Sequence, residues 1–127
     1  MSMKTFDAAV VGAGPGGTTC ARELAKLGVR TVLLDKADFP RQKLCAGWIT
    51  PDVMADLGFS PSDYPYGITR FDRINFHINR VKIPVRTRQY SIRRYEFDHW
   101  LLQRVNPPFY RHTVRKKKKK NGGFEID

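Results

Sequence analysis

The chain has 127 residues, 41% apolar and 12% aromatic, which suffices for one hydrophobic core, leaves little room for two and argues against a wholly disordered chain. Lys and Arg outnumber Asp and Glu by 23 to 12, but Arg115–Lys120 supplies six of those cations, so the basic excess is largely local and says little about the fold. Two cysteines, Cys20 and Cys45, show no CxxC or Cys/His spacing, no apolar run nears the ~20 residues of a membrane span, and no secretory layout precedes the first glycines. A disulfide framework and a metal site are therefore set aside, and a cytoplasmic location is expected.

Phe6–Val11 is a short apolar run ending in a glycine cluster, the pattern of a strand buried on both faces. From Gly16 to Leu27 the residues Cys20, Ala21, Leu24, Ala25 and Leu27 recur at helical spacing, and Gly28 supplies a stop, which predicts an amphipathic helix with Cys20 in the core. Thr31–Leu34 is β-branched and apolar, so the unit closes as strand, crossover helix and parallel strand. Lys36–Thr50 reads as a loop. Pro51–Leu57 reads as a short helix with Thr50 as N-cap and Pro51 at its first position. Gly58–Gly67 is rich in turn residues. Ile68–Arg88 alternates apolar and polar residues, predicting a β-hairpin that pivots near Asn79 and Arg80, with Ile74, Phe76 and Ile78 on one face and Val81, Ile83 and Val85 on another. Glu96–Val105 reads as a helix with Phe97, Leu101 and Leu102 inward, ended by Asn106-Pro107-Pro108. A strand over Phe109–Val114 leads into the lysines, and Asn121-Gly122-Gly123 signals a hairpin turn before Phe124–Asp127. The chain thus ends in a hairpin with no partner for its return strand, an arrangement that suggests truncation. The expected organisation is a βαβ motif and loop over 1–57, a hairpin insertion over 58–94, and a helix with the start of a further hairpin over 95–127.

The glycines carry the chemistry. GxGxxG by itself is weak, but Gly12, Gly14 and Gly17 directly follow a predicted strand and open a predicted helix. Gly12 permits the tight turn, Gly14 lets backbone approach a pyrophosphate, and Gly17 lets helix and strand pack closely. Anionic phosphates would sit on the helix N-terminus, where unpaired N–H groups and the dipole favour them. At the end of the second strand stands Asp35, whose carboxylate suits both hydroxyls of an adenosine ribose and would repel a 2′-phosphate. The fold class expected is α/β, with a Rossmann-like dinucleotide-binding module.

GAGPGG, the segment LLDKADFPRQKLCAGWITP and the later YSIRRYEFDHWLLQR together resemble the geranylgeranyl reductases, within the FAD-dependent monooxygenase-like superfamily. The likeness runs from Thr5 to about Val105, and FPRxKxCxG, here Phe39, Pro40, Arg41, Lys43, Cys45 and Gly47, is its more particular part. The resemblance implies FAD as cofactor, with Gly12, Gly14, Pro15, Gly16 and Gly17 at its pyrophosphate and Asp35 and Lys36 toward the adenosine. It places Arg41, Lys43, Ala46 and Gly47 near the flavin and gives Arg94 a cofactor contact. It implies reduction of isoprenoid double bonds by reduced FAD, an isoprenoid or other lipid-like substrate, and related members that hydroxylate or halogenate. The later FAD segment and most of the substrate cavity of such enzymes are not in these 127 residues, so no complete active site is expected here. A nucleotide-binding module without turnover is the alternative, and an NAD-dependent dehydrogenase is disfavoured by the cofactor loop.

Cys45 reads either as a thiol beside the flavin, with Arg41 and Lys43 favouring its thiolate, or as a small structural residue. His77, His99 and His112 have no spacing suited to metal ligation and read as packing or surface residues. Trp100 reads as core, and Trp48 stays open. Lys116–Lys120 reads as a solvated hairpin edge, and second as a contact for anionic lipid headgroups; without interleaved aromatics, nucleic acid is not expected.

Overall fold

The computed structural model describes residues 3–127. The elements run β1 (Ala8–Val11), α1 (Pro15–Lys26), β2 (Thr31–Asp35), β3 (Trp48–Ile49), α2 (Pro51–Leu57), β4 (Ile68–Ile78), β5 (Val81–Ile92), α3 (Arg94–Gln103), β6 (Phe109–Arg111), β7 (Lys117–Lys120) and β8 (Gly123–Ile126). They divide into two compact units. One comprises the described residues up to Arg41 with Asp98–Asp127; the other is Gln42–Phe97.

The first unit is the predicted α/β motif, extended by one strand. β1, β2 and β6 form a parallel sheet in that order, with Val10 beside Leu33 and Leu33 beside Phe109. The apolar run Thr31–Leu34 is buried throughout because β2 is central. On the helical side Ala13, Ala21 and Leu33 are fully buried, with Val10, Phe39, Leu102, Val105 and Phe109 packed around them. The rings of Phe39 and Phe109 meet edge to face at 5.7 Å. On the opposite side Ala9, Val32, Leu34 and Tyr110 line an open cavity of about 990 Å³ together with Phe124 and Ile126 of β8.

Cys20 is exposed, which corrects its placement in the core. The residues that α1 buries are Thr18 and Ala21. Cys20 and Leu27 lie seven positions apart on a single neighbouring stripe, and Leu27 is 79% exposed. The sheet-facing stripe is the one that carries Thr18 and Ala21. A second feature invisible in the sequence is Asp98, which is wholly buried and ion-paired with Arg41 at 3.2 Å. Arg41 also lies over the Phe39 ring, 4.8 Å from its centroid.

In the second unit β3, β5 and β4 form an antiparallel sheet in that order. β3 falls inside the segment expected to be loop: Trp48 pairs with Ser91 and Ile49 with Tyr90, a two-residue strand too short to show periodicity. α2 is as predicted, with Thr50 Oγ1 accepting from the Val53 N–H at 3.3 Å and Gly58 closing the helix at φ 70°. Ser60 and Asp63 then form a reciprocal capping box around a 3-10 turn, Pro61–Asp63. This unit has its own core, in which the rings of Phe59, Tyr64 and Phe97 lie 5.7–6.4 Å apart beside buried Ile49, Met54, Leu57 and Ile92.

The long hairpin pivots at Asn79, at φ 55°, and Arg80. Its faces differ from expectation. Ile74 pairs directly with Val85, Phe76 with Ile83 and Ile78 with Val81, so the two apolar sets share one face, since cross-strand partners in an antiparallel ladder project together. β5 continues to Ile92, beyond the expected Arg88, and α3 starts at Arg94 instead of Glu96. β6 stops at Arg111, short of the expected Val114. The final hairpin turns at Asn121 and Gly122, with φ of 39° and 81°, pairing Lys120 with Gly123.

The sheet edge is clamped by Arg30, whose Nε and Nη2 donate to the two carboxylate oxygens of Asp7 at 3.0 and 2.8 Å. These hydrogen bonds hold the Asp7 carboxyl below its usual range and push Arg30 up. A depressed carboxyl contributes stability above its unfolded pKa and loses it as pH falls through the folded value. Thermal midpoints followed by circular dichroism should therefore drop on acidification through the carboxylate range, and the Asp7→Asn variant should show a shallower drop. Asp98→Ala leaves the Arg41 guanidinium, which is mostly buried, without its counter-charge and should cost about 3 kcal/mol in urea unfolding.

Candidate functional site

The turn between β1 and α1 is held from three sides. The Gly12 N–H donates to the Leu34 carbonyl at 2.7 Å, continuing the register of the parallel strands. Gly12 has φ 106°, which an L side chain rarely adopts, so the chain can reverse immediately after Val11. A Cβ on Gly17 would land on the Gly12 carbonyl oxygen, whereas one on Gly16 would meet open space. Gly17 is therefore required by the close packing of turn and helix, while Gly16 leaves backbone open to anything that approaches.

The helix end is electrostatically unfilled. Its N-cap, Gly14, provides no side-chain hydrogen bond, Pro15 occupies the first turn, and no acidic residue lies there. The first intrahelical bond is from the Thr18 N–H to the Gly14 carbonyl at 2.9 Å, so the N–H groups before it have no partner within the helix. Such an end attracts anions through those donors and through the aligned peptide dipoles.

Asp35 is brought to this turn by the strand order. Its Oδ2 accepts from the Ala13 N–H at 2.7 Å, and Oδ1 accepts from the Ala37 N–H at 2.9 Å. A carboxylate offers about four lone-pair positions, so two acceptor positions are left beyond these backbone bonds. Lys36 is exposed, and its carbonyl accepts from Arg111 Nε at 3.4 Å. The glycine turn, the helix end and Asp35 thus converge, and they combine donors for an anion with acceptors for hydroxyl groups.

The remaining candidate residues are distributed differently. Arg41 belongs to the same unit, but its guanidinium is committed to buried Asp98 and the Phe39 ring. Lys43, Cys45, Ala46, Gly47 and Arg94 belong to the other unit. There Gly47 is clamped: its carbonyl accepts from the Ile92 N–H at 2.9 Å, its φ is 68°, and a Cβ would strike the Ile92 carbonyl oxygen. The Ala46 carbonyl accepts from Ser91 Oγ at 3.5 Å, which fastens the end of the loop to β5 three residues before Arg94. Cys45 is exposed, with its Sγ accepting from the Gly47 N–H at 3.4 Å. Trp48 donates from Nε1 to Gln89 Oε1 at 2.8 Å, and half-buried Trp100 lies under Arg104 at 4.4 Å. The Ala13 N–H bond to Asp35 was not anticipated from sequence; the glycine-to-acid spacing brings the two near, but only the parallel register sets the contact.

Residues 5–59 match the family described as FAD binding domain, a span that contains the glycine turn, Asp35 and the loop to Phe59. Those residues are similar to an FAD-binding domain. It is 34% identical over 101 residues to the geranylgeranyl diphosphate reductase of Rhodobacter capsulatus, covering 79% of this chain and 25% of that protein. It superimposes on the geranylgeranyl bacteriochlorophyll reductase-like protein of Thermoplasma acidophilum with a TM-score of 0.81 at 23% identity, covering 98% of this chain and 35% of that one. A myxobacterial chondrochloren halogenase gives 0.80 at 22% identity, covering 98% and 35%. The chain spans about a quarter of the length of the curated relatives it matches. The residues matching that family thus lie in a chain similar to the geranylgeranyl reductases, and the match assigns FAD as the cofactor. No helix among the described residues is long and apolar enough to cross a membrane.

Gly17→Ala should destabilise the domain by ~1–3 kcal/mol, the usual cost of forcing a methyl into a filled site, whereas Gly16→Ala should leave the urea midpoint nearly unchanged because its Cβ has room.

Proposed function

We propose that this chain grips the ADP half of FAD for a flavin-dependent oxidoreductase that reduces carbon–carbon double bonds of isoprenoid chains. The observation that carries the reading is the convergence of the glycine turn and Asp35 at an unfilled helix N-terminus. Gly12, Gly14, Pro15, Gly16 and Gly17 would hold the pyrophosphate, chiefly through backbone N–H groups of the first turn and the dipole behind them. Asp35 would use its remaining acceptor positions on the ribose hydroxyls, while its bonds to Ala13 and Ala37 fix the carboxylate in place. Lys36, exposed and next in the chain, would balance phosphate charge. Reduced FAD, when bound, supplies the hydride equivalent; the protein supplies binding, orientation and electrostatics.

The substrate class rests on the relatives. The Rhodobacter protein is a geranylgeranyl diphosphate reductase, and similarity across 79% of this chain supports an isoprenoid substrate here. The halogenase likeness is one of fold and does not favour halogenation. Lys43, Cys45, Ala46, Gly47 and Arg94 are assigned to the cofactor by resemblance alone. Lys117–Lys120 are all exposed on β7, which supports attraction to anionic headgroups at ~1 kcal/mol per lysine near a charged surface.

Equilibrium dialysis against FAD and ADP tests the grip. The wild-type chain should bind both, and Asp35→Ala should weaken both by about tenfold, the worth of hydrogen bonds to a charged group. Equal binding by wild type and Asp35→Ala would remove Asp35 from the site, and binding of neither ligand would overturn the reading.

A further inference from the structure

The strongest unassigned feature is a concentration of arginines on the long hairpin. Between Phe71 and Arg73 the ladder slips: Phe71 pairs with Gln89, but Arg73 pairs with Arg86, so Asp72 faces the two residues Thr87 and Arg88. This β-bulge interrupts the pairing and redirects side chains, a device found repeatedly beside binding sites. It also sets Arg73 directly opposite Arg86, a like-charge cross-strand pair that disfavours the hairpin on its own.

Arg70, Arg73, Arg86 and Arg88 line one open recess with Asp72 and Thr87. Its volume, about 880 Å³, is ample for a small polyanion. Asp72 is the recess's one carboxylate, and it is taken up by Arg70, which donates from Nε at 2.8 Å and pairs through Nη2 at 2.8 Å. Arg73, Arg86 and Arg88 have no carboxylate within ion-pair distance among the described residues. Three uncompensated guanidinium groups around one recess form a multi-charged anion receptor. Guanidinium forks match phosphate oxygens two at a time, a geometry that a simple lysine cluster lacks.

We propose that this recess binds a diphosphate group. Diphosphate suits it better than a single carboxylate or monophosphate, because its charge and its two linked sets of oxygens can engage all three free arginines together. The same chemistry occurs as a free diphosphate and as a diphosphate headgroup on a lipid. The inference stands apart from the flavin reading, since every residue it uses lies on β4 and β5.

Isothermal titration calorimetry with inorganic pyrophosphate, orthophosphate and acetate tests it on the whole chain, alongside co-sedimentation with vesicles of phosphatidylcholine with and without phosphatidic acid. Pyrophosphate should bind at least about tenfold more tightly than orthophosphate, acetate should not bind, and added salt should weaken the interaction. Arg73→Gln/Arg86→Gln should weaken it by about tenfold or more, and the single variant Arg88→Gln should do so to a lesser degree, keeping the test open if the double variant folds poorly. Binding of phosphatidic acid vesicles that is lost in the arginine variants, without pyrophosphate binding, would overturn the diphosphate assignment, because that headgroup is a monophosphate; binding of both, lost together in the arginine variants and tighter for pyrophosphate, would support it. No binding of either, binding unchanged in the variants, or loss confined to Lys118→Gln/Lys119→Gln would overturn it. FAD binding measured on the same arginine variants should be unchanged, so failure of this site and failure of the flavin grip are distinguishable.

Discussion

One hydrogen bond organises the α/β unit: the Ala13 N–H donates to Asp35 Oδ2 at 2.7 Å. Ala13 lies in the turn that leaves β1, and Asp35 ends β2, so the contact closes the crossover at the end where the helix begins. It depends on parallel pairing that sets Val11 beside Leu34, and on Gly12 reversing the chain at a positive φ. A carboxylate here can serve both structure and recognition. Two backbone donors fix its orientation, and acceptor positions remain for a ligand.

The second constraint is closeness. Gly17 lacks a side chain because the Gly12 carbonyl occupies the place a Cβ would take. That approach brings the helix N-terminus to the sheet and leaves the small residues Thr18 and Ala21 at the buried interface. Cys20 and Leu27 lie on a stripe of the helix turned away from that interface, so hydrophobicity by itself misassigns the buried stripe. The glycines that shape the proposed phosphate cradle are therefore also what lets the domain fold.

The two units solve different packing problems. The first buries a parallel strand between a helical layer and the side facing β8, and holds the fully buried Asp98 against Arg41. The second has an aromatic centre of Phe59, Tyr64 and Phe97 and projects a hairpin of which one face carries six apolar residues in three direct pairs. At the bulge, the same hairpin gathers arginines despite their mutual repulsion. Packing in a small unit does not call for such a cluster, and this is why a ligand is the economical explanation.

Elements with a local cause were legible in the sequence: the β1–α1–β2 motif from its periodicity and glycines, α2 from Thr50, Pro51 and Gly58, and both hairpin turns from Asn79-Arg80 and Asn121-Gly122. FAD as cofactor was legible too, because a glycine turn, an acid after the second strand and a loop motif are all encoded by residue type at fixed spacing. Features with a nonlocal cause required the tertiary structure. The strand β3 exists only because β5 lies alongside it, and the common apolar face of β4 and β5 depends on register, which alternation within each strand cannot supply. The Asp98–Arg41 pair unites residues whose separation along the chain carries no signal of contact, and the arginine recess depends on a bulge that the hairpin pattern does not disclose. Sequence records what each short segment prefers; pairing register and burial are properties of segments meeting, and they become definite only when the chain has folded.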